Sequence, residues 1–188
     1  MKTMIWETYP WKQDLNRKKR QLLKYNTQEY LLQNEDKAYT IIEKAIFYSA
    51  FIIRKLVDCK GKTSDEVDNY SLKVFTIKPR KEITQTCIWP KEGSHDWDNE
   101  RKGTIKGVKL CNSLIHSFIF SVVYDENGVI DRFVVSSDYD KNKVLYRVPL
   151  SEWIKYIDFV VSDDIVRLVS HYDIKTKDFE YTRKERGQ

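Results

Sequence analysis

The clearest hydrophobic pattern in the chain predicts a long helix over residues 36–59. Small or apolar side chains recur there at three- and four-residue spacing, as on one face of an α-helix. These positions are Ala38, Ile41, Ile42, Ala45, Ile46, Ser49, Ile52, Ile53 and Leu56. Asn34 or Asp36 can cap the start of this helix, and Gly61 stands where a left-handed residue commonly follows a helix.

A second helix is predicted just before it, over residues 12–33. Its apolar side is supplied by leucines, namely Leu15, Leu22, Leu23, Leu31 and Leu32. The long helix also carries Phe47, Tyr48 and Phe51 outside its main stripe. An apolar surface this wide places the long helix at the centre of the core or, alternatively, against a partner subunit.

Shorter elements follow up to residue 117. The Thr63–Glu66 stretch has the form of a capping box and predicts a short helix at 64–70, with a strand at 71–77 after it. Apolar spacing predicts another helix over 104–116.

A loop rich in turn residues is predicted over 78–103, with a short strand at 85–89 inside it. Trp89 and Trp97 flank its Gly-Ser-His-Asp stretch, and they either pack on the domain or form an exposed binding rim. The intervening His95 is expected to be solvated.

After residue 117 the hydrophobic period changes to two. Residues 118–124 and 129–136 read as the strands of a hairpin, because the turn between them contains the Asn-Gly pair. A third strand is predicted at 144–148 and one or two helical turns at 149–153. Further strands are predicted at 157–161 and 165–172, although the second of these segments fits a helix almost equally well.

The order of these elements predicts an α+β fold, with helices first and strands afterwards. Residues 1–117 form a helical, bundle-like part, and residues 118–188 form a mostly antiparallel sheet packed with it in one compact unit. The length of 188 residues and a hydrophobic content of 41% suit such a unit and exclude disorder and fibrous repeats.

The amino-acid content also indicates where the protein acts. No apolar run of about 18 residues is present to cross a bilayer, and the first residues lack the apolar segment of a signal peptide. A cytoplasmic location without membrane contact is therefore expected, with Cys59, Cys87 and Cys111 as reduced thiols.

Positive charge is concentrated at the front of the chain. Residues 1–60 hold 12 Lys/Arg and 7 Asp/Glu, whereas residues 118–188 hold 11 and 13. The densest cluster consists of Arg17, Lys18, Lys19, Arg20 and Lys24. It is either a solvated helix face or a contact for RNA, DNA or an acidic protein partner.

The pattern of chemically active residues predicts neither a metal site nor a cofactor. Paired ligands at converging spacing and a glycine-rich phosphate loop are both missing from the sequence. Asp138, Asp140 and Lys141 are residue types that form magnesium nuclease sites, but a polar turn is the simpler interpretation of this segment.

The segment 109–117 contains the residues that most clearly indicate a chemical function. If it is helical, Asn112 and His116 share a face, so an amide and an imidazole reach into one groove. The alternative is that His116 ends the helix and satisfies its carbonyls while Asn112 packs locally.

Together with the long helix ending at Leu56, this pair resembles the HEPN superfamily over residues 12–116. That resemblance implies paired long helices and dimers, and its catalytic members are RNases with an Arg, commonly followed by Asn, and then His. Asn112 and His116 match this pattern, whereas the Arg position falls on Cys111, with Lys109 two residues earlier as the nearest cation.

Three functions follow as expectations. The first is a non-catalytic binding protein that engages RNA or a protein partner through the basic helical face. The second is a metal-independent RNase in which His116 is the acid or base, Asn112 positions the phosphate, and Lys109 or Arg54 stabilises developing charge. The third is a structural homodimer formed on the long helix.

Overall fold

The computed structural model describes residues 5–85, 90 and 93–187. Its elements, in chain order, are α1 Tyr9–Tyr25, α2 Gln28–Asp58, α3 Asp65–Asn69, β1 Ser71–Ile77, a short 3-10 helix Trp97–Asn99, β2 Arg101–Lys106, α4 Gly107–Ile115, β3 Ser117–Tyr124, β4 Ile130–Ser137, β5 Leu145–Pro149, α5 Leu150–Val161, β6 Ile165–Asp173 and β7 Asp178–Arg186. The predicted α+β class is confirmed. Most of the strand predicted at 85–89, including Trp89, lies outside the described residues.

The break between the first two helices lies earlier than the sequence pattern placed it. Thr27 caps α2 by accepting a hydrogen bond from the Tyr30 backbone N–H at 3.3 Å. The Asn26 side chain donates to the Ile130 carbonyl at 2.6 Å and accepts from the Ile130 N–H at 2.9 Å. Asn34 has non-helical dihedral angles of −145° and 46°, so α2 consists of two helical segments that meet at a kink at this predicted cap residue.

A five-stranded antiparallel sheet forms the centre of the protein, with strand order β2-β1-β5-β4-β3. Strands β1 and β2 come from the part of the chain that the sequence assigned to helices, so the sheet crosses the expected boundary at residue 117. Helix α4 consequently begins at Gly107 and not at residue 104, because residues 104–106 pair with β1.

The helices cover one face of this sheet. Trp153 and Tyr156 from α5 and Phe133 from β4 are fully buried between the helices and the strands. The Trp153 ring donates its N–H to the Ser49 hydroxyl at 3.1 Å, which explains a serine in the apolar stripe of α2.

The loop after β1 covers part of the opposite face. Its Ile83 side chain packs against Val134 and Leu145, while Trp97 lies half-buried at the edge of this cluster. His95 is buried, so the expectation of a solvated side chain is wrong. Its Nδ1 lies 2.9 Å from the Ser94 hydroxyl, and burial lowers the pKa of its imidazole.

The structure also gives the secondary structure of residues 157–161 and 165–172. Residues 157–161 belong to helix α5 and not to a strand, because Trp153, Tyr156 and Val160 face the core at helical spacing. A short apolar run does not distinguish these alternatives by itself. Residues 165–172 are the strand β6, which was one of the two alternatives.

Strands β6 and β7 form a separate two-stranded sheet, here called the β-arm (residues 165–186). It is attached near α3, where the Lys184 ammonium lies 2.7 Å from the Asp68 carboxylate and the Lys184 N–H donates to Asp65 at 3.0 Å. The predicted C-terminal sheet is therefore two sheets. None of the described helices combines the length and apolarity needed to span a bilayer.

Candidate nucleic-acid interface

A shallow cleft of about 270 Å³ between α2 and α4 contains both members of the predicted amide–imidazole pair. It is lined by Phe51, Arg54, Lys55, Asp58, Asn112, Ile115 and His116. The His116 backbone N–H donates to the Asn112 carbonyl at 3.0 Å, which closes the last turn of α4. The His116 side chain is exposed and Asn112 is half-buried, so the structure brings the two side chains to one solvent-facing cleft.

Two cations of α2 contribute positive charge to this cleft. Arg54 and Lys55 are both half-exposed, and the Arg54 guanidinium pairs with the carboxylate of Asp58 one turn later. An exposed ion pair of this kind contributes only about 0–1 kcal/mol, so a phosphate can replace the carboxylate at Arg54.

Lys109 does not line the cleft. Its ammonium lies 4.0 Å from the Asp140 carboxylate and 5.8 Å from the centre of the Tyr146 ring. A hydrogen bond with Tyr146 raises the pKa of Lys109 above its ordinary value. Arg54 is therefore the residue that brings a guanidinium to Asn112 and His116.

Cys111, at the position where the family resemblance places an arginine, is turned into the core. Its thiol is fully buried, and burial raises its pKa. Adjacent residues of a helix lie about 100° apart, so Cys111 faces inwards while Asn112 faces the cleft. An arginine at residue 111 would place its charge in the apolar core.

The members of the basic run of α1 point in different directions around the helix. Lys18 lies over the ring of Tyr48, with its ammonium 5.2 Å from the ring centre, whereas Lys19 is held 2.5 Å from the Asp158 carboxylate of α5. Arg17 pairs with Asp14 at 2.8 Å.

The two remaining members of the run, Arg20 and Lys24, are exposed, and the Lys24 ammonium lies 5.3 Å from the Tyr25 ring centre. Neither lines the second groove, a space of about 340 Å³ between α1 and α2. That groove is bordered by Asp14, Arg17, Lys18, Gln21, Tyr48 and Ile52.

One exposed aromatic ring lines each of these two spaces, Tyr48 the groove and Phe51 the His116 cleft. Tyr48 and Phe51 are 53% and 52% exposed, and they stand three residues apart in α2. We call the two spaces together the α2 surface and define it as Arg17, Lys18, Tyr48, Phe51, Arg54, Lys55 and His116. It presents two flat apolar rings between cations.

The sequence did not identify this aromatic centre. Its signal was present, since Tyr48 and Phe51 fall outside the apolar stripe of α2, but bulky side chains at such positions also fit a buried helix. Their exposure depends on which neighbouring elements cover α2, and that is a tertiary property.

Comparisons with known protein families, curated proteins and solved structures found no match to this chain. Within residues 5–85, 90 and 93–187, no cluster of three or more His, Cys, Asp or Glu side chains is arranged to hold a metal ion.

Proposed function

We propose that this protein binds single-stranded RNA on the α2 surface without cleaving it. The observation that carries the proposal is the pair of exposed rings, Tyr48 and Phe51, placed between cations of α1 and α2. Single strands offer unpaired bases that stack on aromatic side chains while their phosphates contact Lys and Arg.

The charge of the surface supports the same ligand. Arg17, Lys18, Arg54 and Lys55 provide four positive charges, against the two carboxylates of Asp14 and Asp58 that border the grooves. The excess of cations attracts a polyanion, and both carboxylates belong to exposed ion pairs that a phosphate can displace.

The stacking part of the proposal is tested by alanine substitution. Each of Tyr48→Ala and Phe51→Ala should weaken binding of a fluorescein-labelled single-stranded RNA of about 12 nucleotides by about 5- to 150-fold, the equivalent of about 1–3 kcal/mol per stacked base. Fluorescence anisotropy at low salt measures the change.

A matched control is Tyr139→Ala. Tyr139 is 80% exposed and also has a cation over its ring, with the Lys143 ammonium 3.5 Å from its centre, but it lies outside the α2 surface. We expect unchanged affinity for this variant. Equal losses for Tyr139→Ala and Phe51→Ala, or no binding by the unaltered protein, would refute the proposal.

The phosphate part is tested by salt dependence. Lys18→Ala and Lys55→Ala should each lower the slope of log affinity against log salt by about 0.7, the value for one phosphate of a single strand. Lys19→Ala should leave the slope unchanged, because Lys19 is held by Asp158 away from the surface. A slope that depends equally on Lys18 and Lys19 would indicate unspecific attraction to α1.

A metal-independent RNase is the second candidate, because Arg54, Asn112 and His116 line one cleft. His116 would remove the proton of a ribose 2′-hydroxyl, and that oxygen would attack the neighbouring phosphorus. The 5′-oxygen would leave and take a proton from water, with a 2′,3′-cyclic phosphate as product. Arg54 would stabilise the negative charge of the intermediate, and Asn112 would orient the phosphate.

This candidate predicts RNA cleavage in the presence of a chelator. His116→Ala should abolish cleavage while the unfolding curve remains unchanged, and Lys109→Ala should have no effect. If the RNA stays intact after prolonged incubation with the unaltered protein, the RNase candidate is wrong and binding is the remaining function. The relationship to the HEPN superfamily stays a prediction under either function.

A further inference from the structure

The tip of the β-arm exposes large apolar side chains that no other described residue covers. Tyr172 and Phe179 pair across the two strands with ring centres 5.3 Å apart, and both are half or more exposed. Ile174, in the turn, is 82% exposed. A two-stranded hairpin is marginally stable by itself in water, so an additional contact is expected to stabilise this tip.

Away from its tip, the arm has apolar contact with the body. Near its base, the Tyr181 ring and Leu168 lie close to Gly61, where an added Cβ would be 3.2 Å from the ring. Nearer the tip the connection is polar, since the Lys60 ammonium lies 2.7 Å from Asp178 and donates to the Phe179 carbonyl at 3.0 Å.

An apolar groove of matching character lies at the other end of α2. It has a volume of about 270 Å³ and is lined by Leu31, Leu32, Glu35, Tyr124, Asn127 and Gly128. Leu32 is 80% exposed and Tyr124 is partly exposed, so the groove presents apolar surface to solvent.

The charges of the tip and of the groove are opposite. The turn of the arm carries Lys175 and Lys177, both exposed, and neither takes part in an ion pair among the described residues. Glu35 lines the groove, and Asp36, also exposed, follows it in α2. Burial, and then the charges of these two carboxylates, raise the pKa of the Tyr124 hydroxyl. Two cations therefore face two carboxylates if the tip enters the groove.

A chain cannot place its arm tip in its own groove. Lys60 holds the tip beside the C-terminal end of α2, whereas the groove adjoins Leu31 and Leu32 near the start of the same helix. At 1.5 Å per residue, the helix between Leu31 and Asp58 separates the two by about 40 Å.

We propose that two copies of this chain form a two-fold dimer in which the arm tip of each copy occupies the groove of the other. When the two α2 helices run antiparallel, the C-terminal end of each lies beside the N-terminal end of its partner. Both tips then reach both grooves at once, and the assembly closes with two chains. This proposal does not rest on the proposed RNA binding.

Sedimentation equilibrium at micromolar concentrations tests the assembly. The unaltered protein should have the mass of two chains, and Ile174→Asp and Leu32→Asp should each give the mass of one. Both residues are exposed, so the two variants should unfold at the same urea concentration as the unaltered protein does when it is diluted to a monomer. Tyr139→Asp, at an exposed position elsewhere, should remain dimeric. A monomeric parent, a dimer unaffected by either substitution, or a mass that grows beyond two chains overturns the proposal.

Charge exchange gives a stricter test. One variant carries Lys175→Glu and Lys177→Glu, and a second carries Glu35→Lys and Asp36→Lys. In a dimer of either variant alone, the tip and the groove would carry charges of the same sign at both contacts. Each variant alone should therefore be monomeric. Mixed in equal amounts they should form a dimer, because the acidic tip meets the basic groove and the basic tip meets the acidic groove. Absence of dimer in the mixture overturns the pairing, whatever the single variants do.

Discussion

The body of this protein and its β-arm use large apolar side chains in opposite ways. In the body, Trp153 and Phe133 are fully buried between a sheet and a layer of helices. In the arm, Phe179 of β7 and Ile174 of the turn have no second layer over them among the described residues, and they remain exposed. Apolar content alone thus does not stabilise a segment, because burial requires a second surface, and residues 5–85, 90 and 93–187 provide none over the arm tip.

The largest effect that we expect is the difference in unfolding free energy between two aromatic-to-alanine substitutions, one in the body and one in the arm. Trp153→Ala should lower the free energy of unfolding by about 3–5 kcal/mol, because it opens a cavity and removes the hydrogen bond that the indole N–H donates to the Ser49 hydroxyl. Phe179→Ala should cost less than about 1 kcal/mol when measured on the monomeric Ile174→Asp background. Urea unfolding followed by circular dichroism compares the two, and equal costs would contradict the distinction between body and arm.

A smaller effect is expected where the body is closely packed around a glycine. A Cβ added at Gly107 would lie 2.2 Å from the Tyr156 ring, so Gly107→Ala forces α4 and α5 apart. We expect a loss of about 1–3 kcal/mol in thermal or urea unfolding, the usual cost of overpacking. Gly103→Ala is the control, since its Cβ would lie 3.6 Å from Thr76, an ordinary contact.

The buried loop over the second face of the sheet should respond to pH. Burial lowers the pKa of His95 in the folded state, so between that value and its ordinary pKa of about 6.5 the unfolded chain binds more protons than the folded one. Stability should therefore be lost as pH falls below about 6.5. Urea unfolding at pH 7.5 and 5.5 should show this loss, and His95→Gln should reduce it; an unchanged pH dependence in that variant would contradict the assignment.

The smallest effect is expected at the attachment of the arm. Lys184→Met removes the ion pair with Asp68, a partly exposed contact of about 1 kcal/mol or less. Amide hydrogen exchange in β6 and β7 should become faster, while exchange in α5 and in β4 remains as before. Faster exchange throughout the protein would mean that the arm and the body unfold together.

The elements that the sequence predicted well are those with long local patterns. Helix α2 shows its three- and four-residue period over many turns, and the β3–β4 hairpin combines a period of two with an Asn-Gly turn. The pairing of β1 with both β2 and β5 was missed. Its hydrogen bonds join segments far apart in the chain, and no local pattern records such a partner.

In the candidate site, too, the sequence predicted what depends on local spacing and missed what depends on distant contacts. The four-residue spacing of Asn112 and His116 placed them on one face of α4, and the structure places both in one cleft. The run from Arg17 to Arg20 read as one basic patch, but successive residues of a helix diverge by about 100°, and Lys19 turns towards Asp158. The exposed pair of rings on α2 was not predicted.

The sequence by itself determined the α+β class, the long amphipathic helix, the hairpin after residue 117 and the positions where chemical side chains share a helix face, since each depends on a repeat within a few residues. Only the tertiary structure decided which rings of α2 stay exposed, that Arg54 and not Lys109 adjoins His116, that His95 is buried, and that the arm extends without a covering layer. These outcomes depend on contacts between distant segments, whose energies are set by burial and geometry that no short stretch of sequence contains.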